Sequence, residues 1–183
     1  MIGLFIGSFD PVTLAHINIC LSLKNDFSKI VLVPVNGNGK NLIDINYRIE
    51  MLNIIKNKYD FLLVSTIMKK YSYLNYRIID LLKEEYKNLN IIMGSDLLEK
   101  LDHFDNYEYL LKNYNYTIVP RGNIDTEELI NNKYSKYKDK FRILDFNSDV
   151  SSTLAKKLLK ENKDTSDVLD SDIYNYIREN NLY

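Results

Sequence analysis

The residues with chemical capacity begin early in the chain. Gly7-Ser8-Phe9-Asp10-Pro11 ends an apolar run, and a helical pattern follows in which Thr13 and His16 are three positions apart. A strand that breaks at a glycine and turns into a helix aims backbone N–H groups, and the positive end of the helix dipole, at an anion. Positions i and i+3 share a helix face, so Thr13 and His16 fall on one side. An imidazole there, hydrogen-bonding or charged, can stabilise negative charge building on a transferring phosphoryl group. Glycine at position 7 permits close approach of the backbone to phosphate oxygens. The expectation is a phosphate-handling enzyme centred on Gly7, Ser8, Phe9, Asp10, Thr13 and His16.

A second group lies near the other end. Ser151-Ser152-Thr153 opens a helical pattern with Lys156 one turn further in. Serines are ordinary N-caps, but the same start presents hydroxyls and amides to phosphates, with Lys156 as a point charge. Lys40 sits in a Gly/Asn loop, either merely solvated or the cation of a closing phosphate clamp. Gly94-Ser95-Asp96 reads as a strand end and helix cap, or as a site where Asp96 accepts from a nucleotide ribose. Phe104 is a core residue or a platform for a ligand base. Arg48, within a helix, has a surface ion pair as its plain reading, and His103 reads as a surface residue. The sequence carries no Cys/His metal cluster, no Gly-x-Ser-x-Gly elbow and no Walker sequence, which removes acyl hydrolysis and P-loop chemistry as leading options.

The elements that must position these groups alternate. Apolar runs at 2–6, 30–35, 61–65, 91–93, 116–119 and 141–146 read as strands. Helical periodicities read at 14–24, 44–57, 73–86, 97–101, 106–113, 127–131, 151–161 and 171–180, and the polar stretch after 131 reads as a surface segment. Strands with buried rather than alternating patterns, separated by helices, predict a doubly wound parallel α/β sheet covered by helices on both faces. Ligands bind such sheets beyond the carboxyl ends of the strands. The clusters at 7–10, 36–40, 94–96, Arg121 and 148–153 all follow strands. They are expected on one rim.

Composition narrows the class. Across 183 residues, 45% hydrophobic and 27% charged content describe an ordinary globular chain, and no linker or repeat divides it, so 1–183 reads as one domain. A formal net charge of −1 with mixed signs argues against nucleic-acid binding. The single cysteine, Cys20, reads as a core thiol and points to a reducing compartment. With no apolar run of membrane-spanning length and with Met1 leading straight into a strand, the expectation is a cytoplasmic protein without a membrane partner.

Gly7 to His16 resembles the signature Gly-x-Phe-Asp-Pro-x-[His/Thr]-x-x-His of the nucleotidylyltransferase superfamily, with its Rossmann-like fold. Val150 to Lys156 resembles that superfamily's second signature, Ile/Val-Ser-Ser-Thr-x-x-Arg. Tyr47-Arg48-Ile49-Glu50-Met51-Leu52, the segment 91–101 and the stretch 176–183 are similar to segments of bacterial nicotinate-nucleotide adenylyltransferases. Thr13, Ala15, Lys156 and Phe104 stand where those enzymes usually carry His, Gly, Arg and Trp. The resemblance implies AMP transfer from ATP to nicotinate mononucleotide, with pyrophosphate as the second product. It implies catalytic roles for His16, Thr13 and Lys156. ATP would be bound by Gly7, Ser8, Phe9, Asp10, His16, Gly94, Asp96, Ser151, Ser152 and Thr153. The acceptor side would use Lys40, Arg48, Phe104 and Arg121. It also implies Mg²⁺ held mainly by substrate phosphates, with no protein metal site. Other acceptors (nicotinamide mononucleotide, phosphopantetheine) and a nucleotide-binding module without catalysis stay open, as does the oligomeric state, a homodimer among the options.

Overall fold

The computed structural model describes residues 1–37 and 41–183. Its centre is a six-stranded sheet, all pairs parallel: β1 (Ile2–Gly7), β2 (Lys29–Pro34), β3 (Leu62–Val64), β4 (Leu89–Gly94), β5 (Asn115–Val119) and β6 (Phe141–Ile143), in the order β3-β2-β1-β4-β5-β6. The chain builds outward from β1 in one direction, then returns to β1's other side and builds the opposite way. The switch point therefore lies between β1 and β4, where the loops leaving their carboxyl ends part and open a crevice.

Right-handed crossovers in opposite directions put helices on opposite faces. The first face carries α1 (Leu14–Leu23), α2 (Ile45–Lys56), α7 (Ser152–Lys160) and α8 (Ser171–Glu179). Ile19, Leu52, Ala155 and Ile173 pack there with Phe5, Ile30, Leu32 and Ile92 of the strands. The second face carries α3 (Tyr76–Tyr86), α5 (Tyr107–Asn113) and α6 (Thr126–Lys133), after a short α4 (Ser95–Leu98). Ile78, Leu82, Leu110 and Ile130 pack there with Leu4, Ile6, Val31, Val33 and Ile91. Successive residues of β1, Leu4 and Phe5, thus serve different cores, as period two requires. Both faces are covered, as the buried strand patterns predict.

Helix starts follow capping chemistry. Asp44, Asn75, Asp125, Ser151 and Asp170 each accept a backbone N–H of the helix they precede. Asn75 explains why α3 begins at Tyr76 and not at Tyr73 as expected: its carboxamide accepts from both Arg77 N and Ile78 N. β6 stops at Ile143 rather than Phe146, because it pairs only with the short β5 and the Leu144 amide makes the last bond, to Ile118 O. Residues Ser135–Lys140, within the stretch expected as a surface segment, form 3₁₀ structure interrupted at Tyr137, and none of them is buried.

Candidate active site

At the β1/β4 switch point lies a cleft of about 900 Å³. Gly7–Asp10 from the loop after β1, Gly94 and Asp96 after β4, Arg121 after β5, and Ser151–Thr153 with Lys156 at the start of α7 line it, and Phe104 closes one side. The cleft therefore brings together most of the predicted residues, from stretches as far apart as 7 and 156. Lys40 lies outside the described residues.

His16 is the best-defined group. The Thr13 amide donates to its Nδ1 at 3.1 Å, and Thr13 Oγ1 lies 2.8 Å from the same nitrogen. An amide N–H is always a donor, so Nδ1 carries the lone pair and the neutral ring bears its proton on Nε2. Burial, and then the Arg121 charge, push the His16 pKa down to about 3. The ring is held neutral, with Nε2–H toward the cleft, and Arg121 Nη2 approaches it at 3.4 Å. Two N–H donors this close together on the cleft lining can both serve an anionic oxygen. Ser95 fixes the Arg121 end: its hydroxyl accepts from Arg121 N at 2.9 Å and lies 3.3 Å from Arg121 O. Nothing in the sequence singles out the Ser95 side chain beyond its place inside Gly94-Ser95-Asp96.

Several of the expected site residues also hold one another in place. Thr13 is fully buried behind His16, so it orients the imidazole and does not face the cleft. Phe9 is buried in the first-face core with a positive φ of 49°, its ring edge-on to His16 at 5.1 Å and to Phe5 at 5.3 Å. A Cβ at Gly7 would meet Phe9 Cζ at 3.0 Å, so a side chain there would press the ring out of place by a few tenths of an ångström. The glycine leaves room for Phe9 beside the histidine, and it also lines the cleft. Gly94 likewise has its missing side chain's place taken, by the Asp96 carboxylate and Arg121 Cδ.

Arg48 was expected at the surface or on an acceptor, yet it is 1% exposed. Its guanidinium donates to Ile43 O, Ser8 O, Val35 O and Asn36 Oδ1 at 2.8–3.1 Å. The planar fork pins the loops after β1 and β2 to α2, spending its donors on protein acceptors. Asp10 is equally buried and is bound by Lys156 Nζ at 2.8 Å and Tyr183 Oη at 2.8 Å. Both oxygens of its carboxylate thus have a protein partner, although the residue also lines the cleft. Lys156, 30% exposed at its side chain, keeps its ammonium at the cleft wall.

The hydroxyls of the α7 start are also partly committed. Ser151 Oγ caps the helix by accepting from Leu154 N at 3.1 Å, and Ser152 Oγ donates to Pro11 O at 2.8 Å, tying α7 to the first loop. Thr153 is exposed at the cleft. Phe104 is half-buried, one side against the second-face core and the other on the cleft. His103 is exposed as expected, and it also stands on the cleft rim. Among the described residues no group of three His, Cys, Asp or Glu side chains could hold a metal ion, and no helix is long and apolar enough to cross a membrane. Burial raises the Cys20 thiol to about 12, which leaves it an inert core group.

The cytidylyltransferase-like family matches residues 4–158. The chain is 30% identical over 190 residues to a probable nicotinate-nucleotide adenylyltransferase of Acholeplasma laidlawii, covering 100% of this chain and 97% of that one. It is 31% identical over 193 residues to a protein of the same description from Flavobacterium johnsoniae, covering 100% and 98%. Among solved structures it is similar to Plasmodium falciparum nicotinic acid mononucleotide adenylyltransferase complexed with NaAD, with a TM-score of 0.80 and 26% identity over 100% of this chain and 96% of that chain. The switch-point cleft and the end-to-end likeness agree: the chain belongs to the cytidylyltransferase-like family and, within it, to the nicotinate-nucleotide adenylyltransferases.

Proposed function

We propose that the cleft transfers AMP from ATP to nicotinate mononucleotide, giving deamido-NAD and pyrophosphate. An oxygen of the acceptor phosphate attacks the α-phosphorus in line, and the bond from that phosphorus to the bridging oxygen of the β-phosphate breaks. No covalent enzyme intermediate is needed, so the protein contributes positioning and charge stabilisation. The observation that carries the reading is the donor pair His16 Nε2–H and Arg121 Nη2, 3.4 Å apart at the switch point. It supplies two hydrogen bonds where charge grows on the α-phosphoryl oxygens. Support also comes from relatives named for this reaction, one of them solved with NaAD.

In this reading the α7 start and Lys156 receive the β- and γ-phosphates, Gly94 leaves the Asp96 carboxylate free for the adenosine ribose, and Phe104 stacks on the pyridine ring. Arg121, first read as an acceptor ligand, serves the α-phosphate through its place beside His16. The donor set fits Mg²⁺ carried in on the triphosphate: Asp10 is buried and paired with Lys156 and Tyr183, and no cluster of ligating side chains stands among the described residues, so phosphate oxygens and water would hold the ion. When bound, it offsets phosphate charge.

The test is pyrophosphate release from ATP with nicotinate mononucleotide, nicotinamide mononucleotide and phosphopantetheine in parallel. Turnover with the first at the highest kcat/KM is expected. A higher value for either other acceptor overturns the substrate assignment. Calorimetric ATP binding with no release for any acceptor would make the chain a nucleotide-binding module.

A further inference from the structure

The cluster around Asp10 has a member that the reaction as described does not use. Asp10 Oδ2 is bound to Lys156 Nζ at 2.8 Å, while Oδ1 accepts from Tyr183 Oη at 2.8 Å and from the Ile43 amide at 3.3 Å. Lys156 Nζ also stands 5.9 Å from the centre of the Tyr183 ring. Tyr183 follows α8, far in sequence from the loop it touches, and its ring packs on the first-face core.

We infer that Tyr183 is a positioning residue of adenylyl transfer: its hydroxyl fixes the Asp10 carboxylate, and Asp10 fixes the Lys156 ammonium at the cleft wall. The inference rests on the transfer reading above. A lysine side chain is a flexible four-carbon stem with three rotatable donors, so on its own it sets no angle or depth. Asp10 takes one of those donors and leaves two for phosphate oxygens. A carboxylate in turn rotates unless both oxygens are held. The Ile43 amide is a long contact, so the Tyr183 hydroxyl is what holds Oδ1. Burial, and then the Asp10 charge, push the Tyr183 hydroxyl pKa well up, which keeps it a donor at neutral pH. As the α–β bridge breaks, charge rises on the leaving pyrophosphate. A misplaced ammonium is then missed most in the transition state.

The experiment is a double-mutant cycle on pyrophosphate release, comparing the parent, Tyr183→Phe, Lys156→Met and the double variant. Tyr183→Phe keeps the ring and removes one hydrogen bond to a charged group, so kcat is expected to fall roughly ten-fold while KM for ATP shifts by less than about three-fold. In the Lys156→Met background the same change should cost less than about two-fold, because there is no ammonium left to aim. Equal losses in both backgrounds overturn the inference, since a merely structural tyrosine would cost the same in each. An unchanged kcat in Tyr183→Phe overturns it as well. Thermal melts of all four proteins establish that each is folded. If the parent releases no pyrophosphate with any acceptor, the transfer reading fails separately. In that case the inference, a statement about this reaction, is overturned with it, whereas equal losses in an active parent overturn the inference alone.

Discussion

His16 owes its state to neighbours that no spacing rule names. Its Nδ1 is held by Thr13, its ring lies edge-on to Phe9, and its outer nitrogen faces Arg121. His16→Ala should lower kcat by roughly 10²–10³-fold, the scale of one lost charge-stabilising donor, in the same pyrophosphate assay. Thr13→Val keeps the buried shape and the amide but loses the hydroxyl. It should lower kcat by roughly three- to ten-fold, with Thr13→Ser within about two-fold of the parent. The depressed His16 pKa also sets a pH dependence of stability. Between about 3 and the unfolded value near 6.5 the unfolded chain binds the proton that the folded one refuses, so stability is fully present above 6.5 and is lost as pH falls. Urea unfolding at pH 7 and pH 5 should show His16→Asn losing less than the parent, by up to about 2 kcal/mol. A larger loss in the variant would reverse the sign of this effect. The chemical types at 13 and 16 are legible from sequence. Their division of labour is not, because it depends on Thr13 being buried.

At the scale of elements, the site is made of loops that need clamps. Arg48 is on α2, yet what it organises is the pair of loops after β1 and β2, where Ser8 O, Val35 O and Asn36 Oδ1 converge on it. Arg48→Lys keeps the charge and loses the fork, leaving buried acceptors unpaired. A loss of about 2–4 kcal/mol in urea unfolding is expected, with a raised KM for ATP. A stability within 0.5 kcal/mol (roughly the range of an unremarkable surface change) would remove the clamp from the account. The Ser152–Pro11 bond does the same work for α7, joining the two signature stretches directly. Strand and helix positions were close to what periodicity and caps predict, because those signals are local. The strand and helix ends that shifted did so for reasons of pairing and capping, as at β6 and Asn75.

On the scale of the whole molecule, two cores share one sheet. Because β1 contributes to both, neither face can come apart without exposing the other. Loss of far-ultraviolet circular dichroism and of near-ultraviolet tyrosine signal should therefore coincide in one thermal transition, as a single domain over 1–183 requires. Two separated transitions would divide it. The sequence alone determined the alternation of elements, the parallel sheet and the two phosphate-facing signatures, since periodicity and glycine or capping chemistry act over a few residues. Only the tertiary structure decided which signature residues line the cleft and which are buried against one another. Arg48 reads in one dimension as a surface ion pair, and the side chains of Asp10 and Arg48 are site groups there only by resemblance. Once folded they are desolvated, and a desolvated charge must be matched by neighbours. Lys156, Tyr183 and the loop carbonyls, distant in sequence, do that matching.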